Sequence, residues 1–255
     1  NKKIIAWALY DLANTAFTSP FVTIFWPLLV INVLHGNEFQ IGLTVAVATI
    51  FFSLIVPVLG AISDNSNVRK PLIIIPTLLM ITIVAFLPLV SLFWNLVLAG
   101  AATIMYNLSL TIYNSLLPTL ASEKEMGKIS GIGMATGFTG TLLSLLVAYF
   151  TLWYFASGSL DIIAALKSMP SANPALEAQN GIMAVFPVIA IFFLGFSLPL
   201  FFIIRDENKK RIDMSWNNFR KTASGVASNI KGLFKIKGMP FYLAYFALFS
   251  NALAA

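Results

Sequence analysis

Charge is scarce in this sequence: charged residues fill 10% of its 255 positions, hydrophobic residues fill 58%, and mean hydropathy is +0.86. Soluble domains carry about 25% charged residues. A soluble chain of this length has no way to bury so much apolar surface, which leaves lipid as its solvent. Cysteine is absent, which excludes disulfides and thiolate metal sites. His35 is the single histidine, so a histidine metal cluster is excluded as well. No Gly-x-x-x-x-Gly-Lys phosphate loop occurs, which argues against ATP-driven work by this chain. Gly131-Ile132-Gly133 has no strand before it and no βαβ unit around it, so it is not read as a dinucleotide loop. Intramembrane aspartyl chemistry needs a second buried carboxylate, and serine chemistry needs a base in reach; neither is visible. The expectation is a chain that is no enzyme and carries no cofactor and no metal. The formal charge of +6 does not point to nucleic acid, because the basic residues lie between apolar runs.

Those runs are long enough to cross a bilayer, which takes about 20 mostly apolar residues. Six spans are predicted, at Ile4–Val33, Ile41–Ile62, Leu72–Phe93, Leu96–Leu116, Ile129–Tyr154 and Gly181–Ile204, with a seventh starting near Pro240 and cut off at Ala255. The fold class is therefore all-α integral membrane, a six-helix bundle plus the start of a seventh helix. The first span exceeds what a bilayer needs, and Pro20 and Pro27 give it places to bend. It is too long for a cleavable signal peptide. Lys2, Lys3, Arg69, Lys70, Lys124, Lys128 and the nine basic residues from Arg205 to Lys237 fall on one side of the membrane; Lys167 alone falls on the other. The positive-inside rule then makes the N-terminus cytoplasmic. Three parts follow: residues 1–204 as a transmembrane bundle, 205–239 as a cytoplasmic linker, and 240–255 as the start of the seventh helix. In the linker Trp216, Phe219, Ala223, Val226, Ile230 and Leu233 recur at helical spacing after Ser215. That pattern fits either a helix in the lipid headgroups or one packed on the protein's underside. Leu160–Met169, in the longest external loop, has the pattern of a short amphipathic helix.

Asp11 is the charged residue placed deepest in an apolar run. It lies about 10 Å beyond Ile4 at about 1.5 Å per residue. A carboxylate there costs about 2.5–3.5 kcal/mol on insertion scales, so it marks function by default, the alternative being a structural carboxylate bonded to a neighbouring helix. Trp7, Asp11, Asn14 and Thr18 share one helix face, and Tyr10 adjoins Asp11 in sequence. In the fourth span Thr103, Asn107 and Asn114 share another face, with Tyr106 and Thr111 beside it. Polar side chains at membrane depth face a bundle interior or a water-filled cavity. The candidates for binding a solute or a proton are Asp11, Tyr10, Asn14, Asn107 and Asn114. The alternative for the asparagines is hydrogen-bond glue between helices, worth about 0.6 kcal/mol per contact. Two polar-faced helices three spans apart also point to a three-helix repeat.

Two further patterns concern movement and packing. Gly131, Gly133, Gly137 and Gly140 open the fifth span, and Gly133 and Gly137, four apart, let another helix approach closely. Between spans two and three, Gly60, Asp64, Arg69 and Lys70 place an acid and two bases around a tight loop. They read as a conformational latch or as a turn with ordinary topology charges.

Residues Gly60 to Lys70 resemble the signature loop of the major facilitator superfamily, with Asp64 in the acidic place and Arg69 and Lys70 in the basic ones. Asn67 stands where that pattern has glycine. A narrower resemblance lies in Trp7-Ala8-Leu9-Tyr10-Asp11 with Ala13-Asn14 and Ala16-Phe17, in Tyr113-Asn114-Ser115-Leu116-Leu117-Pro118, and in Lys128-Ile129-Ser130-Gly131-Ile132-Gly133 with Gly137 and Gly140. Together these resemble the vacuole-effluxer-like branch of the superfamily, which includes the fungal autophagy-related amino-acid effluxers. The resemblance implies a twelve-span transporter of two six-helix halves, of which this chain holds the N-terminal half, the linker and part of span seven. It implies alternating access about a central site. For fungal members it implies amino-acid export from the vacuole; the compact loops here lean towards a bacterial member in the plasma membrane.

The expected function is secondary transport of small solutes, first of all amino acids. The expected partners are a small-molecule solute, the lipid bilayer and the C-terminal half of the same polypeptide. Export of amphipathic compounds or metal-chelating metabolites is the alternative, favoured by Trp7, Phe17, Phe21 and Trp26. A receptor or scaffold that moves no solute is a third.

Overall fold

Each of the six predicted spans is a helix in the structure, a computed structural model that describes residues 2–66, 69–157, 174–204 and 238–239. At 54, 57–66, 156–157 and 174–178 it describes backbone alone. The predicted linker, the start of span seven beyond Met239, the helix at Leu160–Met169 and the side chains of Gly60 and Asp64 lie outside the described residues. Helix α1 runs Lys2–Val33, α2 Glu38–Ser66, α3 Lys70–Phe86, α4 Leu92–Asn114, α5 Met126–Ser157 and α6 Pro174–Ile203. No strand occurs among the described residues. Among the described residues five helical stretches are long and apolar enough to cross a membrane, and α2, 29 residues long, adds an apolar segment at Glu38–Ser53. Helices suit lipid because each satisfies its backbone polar groups internally.

The interior is built on α1. It packs on α5 and α6, while α3 packs on α4 and α6, α2 on α4, and α5 on α6. Contact between α1 and α4 is made by large rings. Trp7 stacks on Tyr113 with centroids 4.9 Å apart, and Phe17 stacks on Tyr106 at 4.6 Å. The outward faces carry Phe39, Phe138, Leu142, Ile191 and Phe202, all exposed, as lipid-facing positions require.

α1 changes its helical geometry around the two prolines. Its α-helix ends at Ala16, and a π-helix covers Phe17–Phe25 with Pro20 inside it. A three-residue α segment, Trp26–Leu28, holds Pro27, and a second π-helix covers Leu29–Val33. Each proline lacks an N–H, and its ring clashes with the carbonyl four residues back. Widening to π geometry relieves that clash. Thr23 supports the wide turn by donating its hydroxyl to the Thr18 carbonyl at 2.9 Å.

The boundary between α3 and α4 differs from the prediction. The apolar run carries the third span to Phe93, but α3 closes in a 3-10 turn at Leu87–Leu89, Val90 and Ser91 are extended, and Phe93 lies in the first turn of α4. Pro88 denies the continuing helix a donor. The buried Asn95 takes up the freed Leu87 carbonyl, its Nδ2 donating at 2.8 Å, and its Oδ1 accepts the Trp26 indole N–H at 2.9 Å. That bridge ties the C-terminal half of α1 to the α3–α4 turn. At the start of α2, Asn37 and Gln40 cap each other: Gln40 N donates to Asn37 Oδ1 at 3.0 Å, and Asn37 N donates to Gln40 Oε1 at 3.1 Å.

Candidate solute site on helix α1

Asp11 lies where α1 crosses α5, and glycine makes the crossing possible. A Cβ on Gly133 would sit 2.6 Å from Trp7 Cζ3, one on Gly137 would sit 3.1 Å from Thr15 Cγ2, and one on Gly140 would run into the Leu12 carbonyl oxygen. Thr15 pins the crossing by donating its hydroxyl to the Gly137 carbonyl at 2.6 Å. The predicted packing role of Gly133 and Gly137 thus acquires a partner, the Trp7–Asp11–Thr15 face of α1. Gly131 has open space where its Cβ would be, so it takes no part in the contact.

The Asp11 carboxylate is partly buried and lies over both glycines, with Oδ2 3.4 Å from the Cβ position of Gly133 and 3.3 Å from that of Gly137. Its side-chain neighbours are the Asn14 amide and the Tyr113 hydroxyl, both neutral. Trp7 separates α4 from α5 at this level. Its indole N–H donates to the Tyr113 carbonyl at 3.4 Å, and the Tyr113 hydroxyl donates back to the Trp7 carbonyl at 3.0 Å. Two helices are thereby locked by a stacked pair bonded in both directions.

The other predicted residues divide. Asn14 is 2% exposed, and neither Nδ2 nor Oδ1 has a hydrogen-bond partner. Thr18, one turn further, is exposed and lies beside Tyr106. Tyr10 stands apart from this face. It is fully buried, shares a 2.6 Å hydrogen bond with Thr77 of α3, and packs against Tyr113, Phe193 and Phe201. Its position is that of a post joining four helices. On α4 the polar face is largely self-satisfied: Thr103, Asn107 and Thr111 each donate to the carbonyl four residues back at 2.8–2.9 Å. Asn107 is partly buried and Asn114 exposed. Arg69 caps α3 and Lys70 begins it, both partly buried. No group of three or more His, Cys, Asp or Glu converges among the described residues.

Sequence reasoning missed the weight of Tyr113, Thr15 and Asn95. The available signal was spacing: Tyr106, Ser109 and Tyr113, three and four apart, are all buried on the inner face of α4.

Residues 39–255 match the family described as vacuole effluxer Atg22 like. The chain belongs to that family. Helix α1, with Asp11, precedes the matched segment, so the Atg22-like assignment rests on α2 onward. The chain is also similar to an uncharacterized MFS-type transporter, YxiO, of Bacillus subtilis (strain 168), with 24% identity over 156 residues. That alignment covers 56% of this chain and 36% of the relative, so the chain spans little more than a third of that protein where the two match. No solved structure matches. The Atg22-like membership and the helical bundle agree with the major facilitator resemblance read from the motifs.

Proposed function

We propose that this chain is the N-terminal part of a secondary transporter that moves small solutes, amino acids first among them, by alternating access. The observation that carries the reading is Asp11: a carboxylate at membrane depth, partly open, whose side-chain neighbours Asn14 and Tyr113 are neutral. A carboxylate in such a place needs a positive partner. The ammonium group of an amino acid, or a proton, supplies one without a permanent protein cation. Asn107 and Asn114 line the path to it from α4, and Tyr10 supports α1 from behind. Arg69 and Lys70, with Gly60 and Asp64, form the latch that favours one conformation. The C-terminal half of the polypeptide completes the cavity. The family's description as effluxers supports transport, and the Bacillus relative, itself an MFS-type transporter, supports a bacterial plasma membrane. The basic residues between spans support a cytoplasmic N-terminus.

The test is counterflow in liposomes holding the full-length protein, with a panel of labelled amino acids. Saturable exchange of at least one is the expected result. Folded protein that exchanges none, but moves amphipathic compounds, transfers the function to the exporter alternative.

A further inference from the structure

Away from Asp11, α3 and α6 form an open groove of about 160 Å³ where α3 begins and α6 ends. Ile73 and Ile74 of α3 line it, as do Leu200, Phe201 and Ile204 of α6, and Lys70 lines it at the start of α3. An apolar space of roughly 150 Å³ stays dry and takes up a small hydrocarbon. The neighbouring Ile75 and Phe202 are 58% and 74% exposed, so the groove borders a face that lipid covers.

Lys70 is the one polar residue of the lining. It is partly buried, as is Arg69 beside it. The helix dipoles set no sign here, because the positive start of α3 meets the negative end of α6. The basic side chains therefore decide which ligand fits. A hydrocarbon-lined groove with a cation at its end matches a molecule with an apolar chain and an acidic head. The chain's own continuation matches less well: from Arg205 to Lys237 it carries nine basic residues against Asp206, Glu207 and Asp213, and so shares the sign of Lys70.

We propose that this groove is a binding site for an anionic phospholipid, with an acyl chain against the isoleucines, Leu200 and Phe201, and the phosphate on the Lys70 ammonium. With the N-terminus cytoplasmic, as proposed above, the lipid comes from the cytoplasmic leaflet, where basic pockets between spans take acidic headgroups. An ammonium has three donors, so a headgroup and the latch contact share Lys70 without exclusion.

Native mass spectrometry tests this on the full-length protein, released from micelles holding equal phosphatidylglycerol and phosphatidylcholine. Wild type is expected to retain one phosphatidylglycerol in preference to phosphatidylcholine. Lys70→Gln lowers that preference about fivefold, the equivalent of about 1 kcal/mol for one basic residue at an anionic surface. Lys70→Arg keeps it. Ile74→Trp fills the groove without touching the charge, and is expected to lose the lipid. Ile74→Phe, a smaller filling, weakens retention in the same direction, and equal unfolding temperatures in phosphatidylcholine show that the variants are folded. Equal retention by wild type and Lys70→Gln overturns the proposal. So does loss in Lys70→Gln with full retention in both Ile74 variants, since the lysine then acts as a surface charge without the groove. Chemical crosslinking of Lys70 to a linker lysine, with no lipid held, gives the groove to the linker and overturns it too. None of these readouts uses transport, so their failure leaves the transport reading standing, and absence of flux leaves the lipid site standing.

Discussion

Asp11 Oδ2 lies 3.3 Å from the point where a Cβ on Gly137 would sit, so the carboxylate and the helix crossing occupy the same few ångströms. A change in one is felt by the other. The glycines of α5 set the packing of α1 on α5 and shape the surroundings of Asp11.

That coupling separates the α5 glycines. Gly140→Ala forces backbone against backbone at Leu12 and is expected to destabilise by about 1–3 kcal/mol, the usual cost of overpacking. Gly137→Ala meets only the side chains of Thr15 and Asp11, and so is expected to harm transport more than stability. Gly131→Ala, with open space ahead of it inside the helix, is expected to leave transport unchanged and to raise stability by about 0.5–1 kcal/mol. Thermal unfolding in detergent and liposome counterflow, measured together on the full-length variants, check the order.

Asn95 gives a prediction of a different kind. Both ends of its amide are used, one on Trp26 of α1 and one on the Leu87 carbonyl. Asn95→Ala strands both partners in a buried place, at about 1–3 kcal/mol for each group left unsatisfied. A lowered unfolding temperature with an unchanged substrate profile is expected. An unchanged unfolding temperature contradicts the bridge.

The helical bundle was readable in the sequence because a membrane imposes length and composition on each span, and six apolar runs satisfied both. The α3–α4 boundary was less readable. Hydropathy runs unbroken through Leu87 to Phe93, and the turn is made by Pro88 with help from an asparagine whose partners lie on two other helices. At the candidate site, Asp11 stood out by its cost in lipid, and the glycine spacing announced a close crossing. Which helix crosses there depends on tertiary packing. Tyr10 shows the limit most clearly. Adjacency to Asp11 in sequence suggested a shared site, yet successive residues on a helix diverge by about a quarter turn or more, and Tyr10 points into the core.

Tyr10 and Tyr113 are separable on the same grounds. Tyr113→Phe removes the hydrogen bond to the Trp7 carbonyl but keeps the ring stack, so a loss of about 1 kcal/mol is expected. Tyr113→Ala also removes stacking with Trp7 and Tyr10 and empties a buried volume, for about 3–5 kcal/mol. Tyr10→Phe is expected to lower stability without changing substrate selectivity, since its hydroxyl meets Thr77. A shift in selectivity on Tyr10→Phe contradicts its placement as a post.

The α4 asparagines differ in their ties. The Asn107 amide already donates to the Thr103 carbonyl, whereas Asn114 is exposed. Asn114→Ala is expected to leave the unfolding temperature unchanged while raising the KM for solute if it lines the path. An unaltered KM removes Asn114 from the site.

The central claim is that Asp11 meets the transported solute or its coupling proton. Counterflow of the responding amino acid, wild type against Asp11→Asn in matched liposomes with equal unfolding temperatures, tests it most directly. The account predicts that the asparagine variant retains its fold and loses saturable flux. Wild-type flux from the folded Asp11→Asn protein would contradict it.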